Sequence, residues 1–220
     1  MRLAAVAAVV TLALQAYPPP FPRDGATKVM DNGRVVVWNV VWSPGRATPM
    51  HEHTMDLVGV VLESNHVKVT LADGSVQPGQ PTRPGQSVFL PKGVVHIEES
   101  VAGGRSIAIE LKNEPPPVRV PNTSAPEGFP REGARLVIDN ARVAIWDYTW
   151  LPGRPVALHL HNRDTVLVPV DAGEIRVQFR NGDTRISRLV PGDALFFSGA
   201  DAHSEEASLG TPRAIVVELK

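Results

Sequence analysis

Seven histidines stand in this 220-residue chain, and six of them fall into two triplets of matching spacing. His51 and His53 are followed 43 residues later by His96, and His159 and His161 are followed 42 residues later by His203. Side chains two apart on an extended strand point to the same side. Each His-x-His pair therefore projects as a unit, and the third imidazole must arrive from a later strand. Three neutral imidazoles converging in a pocket offer a divalent transition metal a site with open coordination positions. Iron, zinc, manganese, nickel and copper all accept such ligands, and spacing does not choose among them. One stray histidine is usually a core or surface residue, but six of seven on a repeated pattern call for a shared purpose. His66, the seventh, reads as an ordinary strand or turn residue.

Carboxylates and arginines complete the list of groups able to do chemistry. Glu98 and Glu205 lie two residues past His96 and His203, on the same side of a regular strand. They are candidates for catalysis as general bases, for a fourth metal ligand, or for partners that orient a histidine. The plain alternative for Glu98-Glu99 and Glu205-Glu206 is a solvated strand end. Asp56 and Asp164 follow their histidines by three, which turns them to the opposite face unless a bulge intervenes, leaving ordinary surface or turn positions. Arg46 and Arg154 follow glycines and either greet an anionic substrate or are simply solvated.

A duplication positions these groups. Sliding the chain by 108 residues lays Phe21-Pro22-Arg23 on Phe129-Pro130-Arg131, Trp38 on Trp146, Trp42 on Trp150 and Pro44-Gly45-Arg46 on Pro152-Gly153-Arg154, with 22 identities in the 54 positions from 21 to 74. Both copies end in Glu-Leu-Lys, at 110–112 and 218–220. A period this long belongs to a duplicated domain and not to a solenoid. The copies span residues 17–112 and 129–220. Residues 113–128, with Pro115, Pro116, Pro117, Pro121 and Pro126, form a stiff linker.

Within each copy the hydrophobic period is two. Val35 to Trp42 is apolar on both faces, a strand buried on two sides. Val67–Leu71 runs into Asp73-Gly74, and Ile175–Phe179 into Asn181-Gly182, both hairpin signals. With 21 Pro and 18 Gly, the chain reads as all-β, short strands in a sandwich or small barrel per copy, with no helix outside the N-terminal segment. Trp38 and Trp42 read as core aromatics.

Composition narrows function. Charge is balanced, 22 Lys+Arg against 23 Asp+Glu, so phosphate-neutralising contact with nucleic acid is not expected. The absence of cysteine excludes thiol nucleophiles and Cys-ligated metals. Residues 1–16 have one early positive charge, an apolar run from Leu3 to Leu14 and Ala16 before a Pro-rich exit. They read as a secretory signal peptide, too short to span a membrane, which implies a periplasmic or secreted protein with no other membrane contact.

Both halves resemble the cupins in tandem, a bicupin. The first cupin motif, Gly, five residues and His-x-His, is matched by Gly45, His51 and His53 and again by Gly153, His159 and His161. The second, Gly, five residues, Pro-x-Gly, two residues and His, is matched in full by Gly85, Pro91, Gly93 and His96. The second copy keeps Gly192 and His203 but has Ser198 and Ala200 for the Pro and Gly. The resemblance implies two double-stranded β-helix (jelly-roll) domains whose histidines bind a divalent metal. The family's glutamate ligand is missing, since Leu57 or Val58 and Thr165 or Val166 stand at its place. The expected function is a dioxygenase-like metalloenzyme acting on a small organic acid or enolisable substrate, with the first copy as the better site. The alternative is a non-catalytic cupin that binds a small ligand or metal.

Overall fold

The computed structural model describes residues 17–115, 124–199 and 202–220. The expected export segment, residues 116–123 of the expected linker, and Ala200 lie outside the described residues. Sixteen strands and no helix occur among the described residues, as the period-two patterning requires.

The first half contributes β1 (Ala26–Asp31), β2 (Val35–Trp42), β3 (His51–Glu52), β4 (Asp56–Val61), β5 (Val67–Leu71), β6 (Val76–Gln77), β7 (Ser87–Leu90), β8 (Val95–Ser100) and β9 (Gly104–Leu111). They form one sheet of order β1-β2-β9-β4-β7 and a second of order β3-β8-β5-β6. The second half contributes β10 (Ala134–Asp139), β11 (Val143–Thr149), β12 (Val156–His159), β13 (Thr165–Phe179), β14 (Thr184–Leu189), β15 (Leu195–Phe197) and β16 (His203–Leu219). Here the path β10-β11-β16-β13-β14 makes one sheet, with β12 on β16 and β15 on β13. Strands pair within their own half. The long β13 and β16 run where the first half has separate pairs, and their register breaks three times between Pro169 and Ile175. Gly173 is required at this bend, because a Cβ there would press on the Leu209 carbonyl 2.7 Å away. Both expected hairpins form, with Gly74 and Gly182 at φ of 84° and 90°, values that cost glycine little.

The two-faced strands have a simple explanation. On β2, Val36, Trp38 and Val40 face the inside of the first half, while Val35 and Val37 face the other way into a cluster shared by both halves. That shared cluster joins Val58, Val60, Ile107 and Ile109 to Val143, Ile145, Val166, Val168, Ile215 and Val217 of the second half. Trp146 and Tyr148 of β11 turn to the inside of the second half. Each half thus has its own interior, and the backs of two sheets form a third apolar layer between them.

Polar contacts frame this layer in duplicate. The Arg34 guanidinium meets the Asp164 carboxylate at 3.1 Å. At the equivalent positions 108 residues apart, Arg142 meets Asp56 at 2.9 Å. Asp56 and Asp164 are therefore neither bulge-rescued ligands nor plain surface residues. Three residues after a histidine they face away from the triad, and that direction leads to the other half. The motif glycines serve the same contact: an added Cβ on Gly85 would collide with the Arg213 guanidinium, and one on Gly192 with that of Arg105. Asp147 fixes Arg213 with bonds of 2.8 and 3.0 Å, and Asn39 fixes Arg105 at 3.0 Å.

The two ion pairs differ in burial. Side-chain exposure is 11% and 1% for Arg34–Asp164, against 32% and 14% for Arg142–Asp56. Removing the cation from a buried pair costs about 3–5 kcal/mol, whereas a half-exposed pair contributes less. Arg34→Met is expected to lower unfolding free energy by about 3 kcal/mol and Arg142→Met by about 1 kcal/mol in urea titrations. Equal losses would show that burial does not set the difference.

Candidate metal centres

Strand pairing assembles both triads. His51 on β3 lies directly opposite His96 on β8, and His159 on β12 lies opposite His203 on β16. His53 and His161 complete the sets, and within each triad the candidate donor nitrogens lie within 4.8 Å of one another. All six sequence-derived histidines are thus brought together as two groups of three. His66 stays apart, its Nε2–H donating to the Pro78 carbonyl at 2.7 Å.

In the first triad His51, His53 and His96 are all 3% exposed or less. His51 Nδ1–H donates to the Pro49 carbonyl at 2.9 Å. A carbonyl can only accept, so this bond fixes the tautomer and leaves the Nε2 lone pair free. That Nε2, like His53 Nδ1, is buried without a hydrogen-bond partner. His53 Nε2 and His96 Nε2 approach to 3.0 Å, so one of them carries a proton that a metal would replace. Orphaned imidazole lone pairs in a closed pocket suit a divalent transition metal. Burial first, then the neighbouring His96, pulls the His53 pKa down to about 4. Burial also lowers that of His96. Both rings are neutral at pH 7 and carry a free lone pair.

The second triad is built alike but more open, with His159 buried and His161 and His203 half-buried. His159 Nδ1–H donates to the Ala157 carbonyl at 2.9 Å, and burial, followed by Arg131, lowers its pKa to about 4. Its Nε2 lone pair accepts from Arg131 Nη1 at 3.0 Å, so a guanidinium holds one of the nitrogens a metal would take. His161 lies 3.8 Å from Glu218. Burial pushes the Glu218 carboxyl up, but the neighbouring His161 and the hydrogen bond from Trp146 outweigh it and the net shift is downward.

Glu98 and Glu205 both reach the triad side of their strands. Glu205 is 3.9 Å from His159 Nε2 and 4.0 Å from His203 Nε2. Neither carboxylate is solvated at a strand end: Glu98 pairs with Arg23 at 3.2 Å and Glu205 with Arg131 at 2.6 Å. These two arginines are the site residues that sequence reasoning missed. Arg131 lies over the Phe129 and Tyr148 rings at 4.5 and 4.1 Å, and Arg23 over Trp42 at 4.6 Å. Phe21 stacks on Trp38, and Phe129 on Trp146, each at 4.9 Å. The signal was present, because both arginines end the repeated Phe-Pro-Arg that opens each copy. Arg46 and Arg154 are surface residues by contrast, paired with the exposed Asp24 and Glu132.

The two copies differ in how open their triads are. A cavity of about 620 Å³ lies beside the second triad, lined by Arg131, His161, His203 and Glu205 at one end. The first triad is the more enclosed of the two. In the first copy the Gly93 turn closes on it, with His53 bonded through its backbone to both Val94 and Gly93. Ser198, which replaces that motif's Pro, lines the cavity of the second copy.

No protein-family model matches the chain. Solved structures identify the class of fold. A cupin 2 conserved barrel domain protein from Leptotrichia buccalis matches with TM-score 0.56 at 11% identity, over 89% of this chain and 88% of that one. A structure of an oxalate decarboxylase concerned with its substrate binding mode matches with TM-score 0.59 at 15% identity, over 85% of this chain and 69% of that one. A Bacillus subtilis oxalate decarboxylase structure concerned with Mn(II) centres has a TM-score of 0.58 at 16% identity, with the same coverage. The fold is that of the cupin barrels. Among curated proteins, the beta-alanine degradation protein BauB of Pseudomonas aeruginosa is 31% identical over 77 residues, 35% of this chain and 80% of that protein. The chain belongs to the family of that protein.

Acid is expected to unfold the chelator-treated protein through its buried histidines. His53 and His159 bind protons near pH 4 when folded and near 6.5 when unfolded. The unfolded state therefore takes up protons first, and stability falls as pH drops from about 6.5 to 4, by on the order of 3 kcal/mol per histidine. Urea midpoints measured across that range should fall, and His53→Gln should flatten the curve. A pH-independent midpoint would contradict the burial argument.

Proposed function

We propose that this chain is an exported bicupin metalloenzyme. In this reading residues 1–16 are a signal peptide, residues 17–112 and 129–220 are two jelly-roll cupin domains, and residues 113–128 link them. Each domain holds one divalent transition metal on three histidines: His51, His53 and His96, then His159, His161 and His203. The reaction is dioxygenase-like and acts on an organic acid in the second domain. The observation that carries the metal is the convergence of donor nitrogens from His51, His53 and His96 within 4.8 Å in a buried pocket, with His51 Nε2 lacking any partner. Manganese and iron come first to be tested, manganese because a neighbour in fold is described by its Mn(II) centres.

A metal held there would supply Lewis acidity to a bound carboxylate and, as iron or manganese, one-electron chemistry with dioxygen. The chain's own residues do the rest. Arg131, held over two aromatic rings, presents a cation to the substrate's carboxylate. Glu205, beside two imidazoles and the guanidinium, takes up or returns a proton at its carboxylate oxygen. The apolar cavity walls keep bulk water from competing for the open positions.

Elemental mass spectrometry of the untagged protein should find close to two equivalents of one transition metal. His51→Ala should remove one and His159→Ala the other. Glu205→Gln should retain metal but reduce turnover, followed as oxygen consumption with organic acids, by about 100-fold. Absence of metal after reconstitution would overturn the metalloenzyme. Full metal with ligand binding but no turnover would establish the non-catalytic binder instead.

A further inference from the structure

The cavity of the second half is much larger than a two-carbon acid needs, and its polarity is divided. Its inner end carries the guanidinium of Arg131, the imidazoles of His161 and His203, and the Glu205 carboxylate. Phe129, Leu167, Ile175, Val177, Leu189 and Val216 line much of the remaining wall, without a charge. The alternation of β13 and β14 puts them there, since Ile175 and Val177 point inward with Ser187 and Leu189 while Arg176 and Arg188 point out to pair with Glu206 and Glu174. Arg180, Asp183 and Arg185, all exposed, line the cavity too. Counting all of these, three arginines face two carboxylates.

We infer that this cavity binds an amphipathic monocarboxylate, an acid group on an apolar body of roughly eight to twelve carbons, the size a pocket of this volume accommodates. The carboxylate lies beside Arg131, whose guanidinium, 2.6 Å from Glu205, it takes over in part. The apolar body lies along the uncharged belt, and Arg180 and Arg185 draw the anion in. A two-carbon diacid would leave the belt wet and set its second charge against apolar walls. Aromatic and aliphatic bodies satisfy the same walls. This inference rests on the second cavity being the ligand site proposed above, but not on the metal. The first triad, fully buried, takes no such ligand.

The test is calorimetric titration of the full chain, metal-loaded and chelator-stripped, with butyrate, hexanoate, octanoate and decanoate, and with oxalate and octan-1-ol. Affinity should rise about threefold to fourfold per methylene, close to 100-fold from butyrate to octanoate, before levelling as the belt fills. Octan-1-ol should bind at least about tenfold more weakly than octanoate, as expected when a charged hydrogen bond is lost. Ser187→Trp, which fills the belt from β14, should weaken octanoate by about tenfold or more while an unchanged melting temperature shows the fold intact. Affinity flat along the series, oxalate binding more tightly than octanoate, or octan-1-ol matching octanoate would overturn the inference. Chain-length dependence in protein that never takes up metal would sustain it and overturn the metalloenzyme. Two bound metals with a flat series would do the reverse.

Discussion

The constraint on which the rest of the structure depends is that the central strands of each half are apolar on both faces. An antiparallel sheet on its own leaves one face to water. Here Val35 and Val37, like Val143 and Ile145, are fully buried on the face turned away from the triads. Neither half could present that face to solvent without exposing a contiguous apolar patch. Packing the halves back to back removes both patches at once and fixes where the interiors open. In the first half the histidine-bearing β3 and β8 belong to the other sheet, which adds nothing to the shared cluster, so the triad lies across that half's interior from the joint.

Ion pairing around the joint follows the same geometry. Arg34–Asp164 and Arg142–Asp56 are related by the 108-residue shift, and the Arg213–Gly85 and Arg105–Gly192 contacts join the equivalent residues of the two copies, the glycines 107 apart. Repeating every contact with the roles of the halves exchanged is what two-fold packing of a duplicated unit produces. At the family glutamate's place, Leu57 packs into the first half's interior and Thr165 lines the second half's cavity, while Asp56 and Asp164 face the joint and are committed to arginines. The acid that reaches each triad comes instead from β8 or β16, as Glu98 or Glu205.

Much of this was legible in the sequence because it rests on period and spacing. Alternation specified strands, Asp73-Gly74 and Asn181-Gly182 specified hairpins, and the His-x-His spacing specified which imidazoles share a side. Tertiary partners were harder to read. Nothing local to Asp164 says that it is buried against an arginine 130 residues earlier, and three-residue spacing said only which way it would face. Arg23 and Arg131 were visible as parts of a repeated triplet, but their role depends on the Phe stacking on Trp38 or Trp146, which turns the following arginine inward. The first copy's intact Pro91-x-Gly93 was read as the mark of the better site, and it forms the turn whose backbone ties down His53 beside the buried triad.

Duplication allows two copies of one site to part ways, and here the parting is physical. In the first copy three histidines are buried, and His51 Nε2 and His53 Nδ1 have no hydrogen-bond partner. In the second, a guanidinium already bonds to one imidazole, and a large cavity opens beside the other two. A cation held by protein at His159 Nε2 makes metal entry there a competition with Arg131, and Arg131 cannot leave without also releasing Glu205. An anionic ligand that drew Arg131 toward itself would free the imidazole and the carboxylate together. Ligand and metal would then favour each other at the second site through one side chain, whereas the first site has no such coupling and would bind its ion regardless.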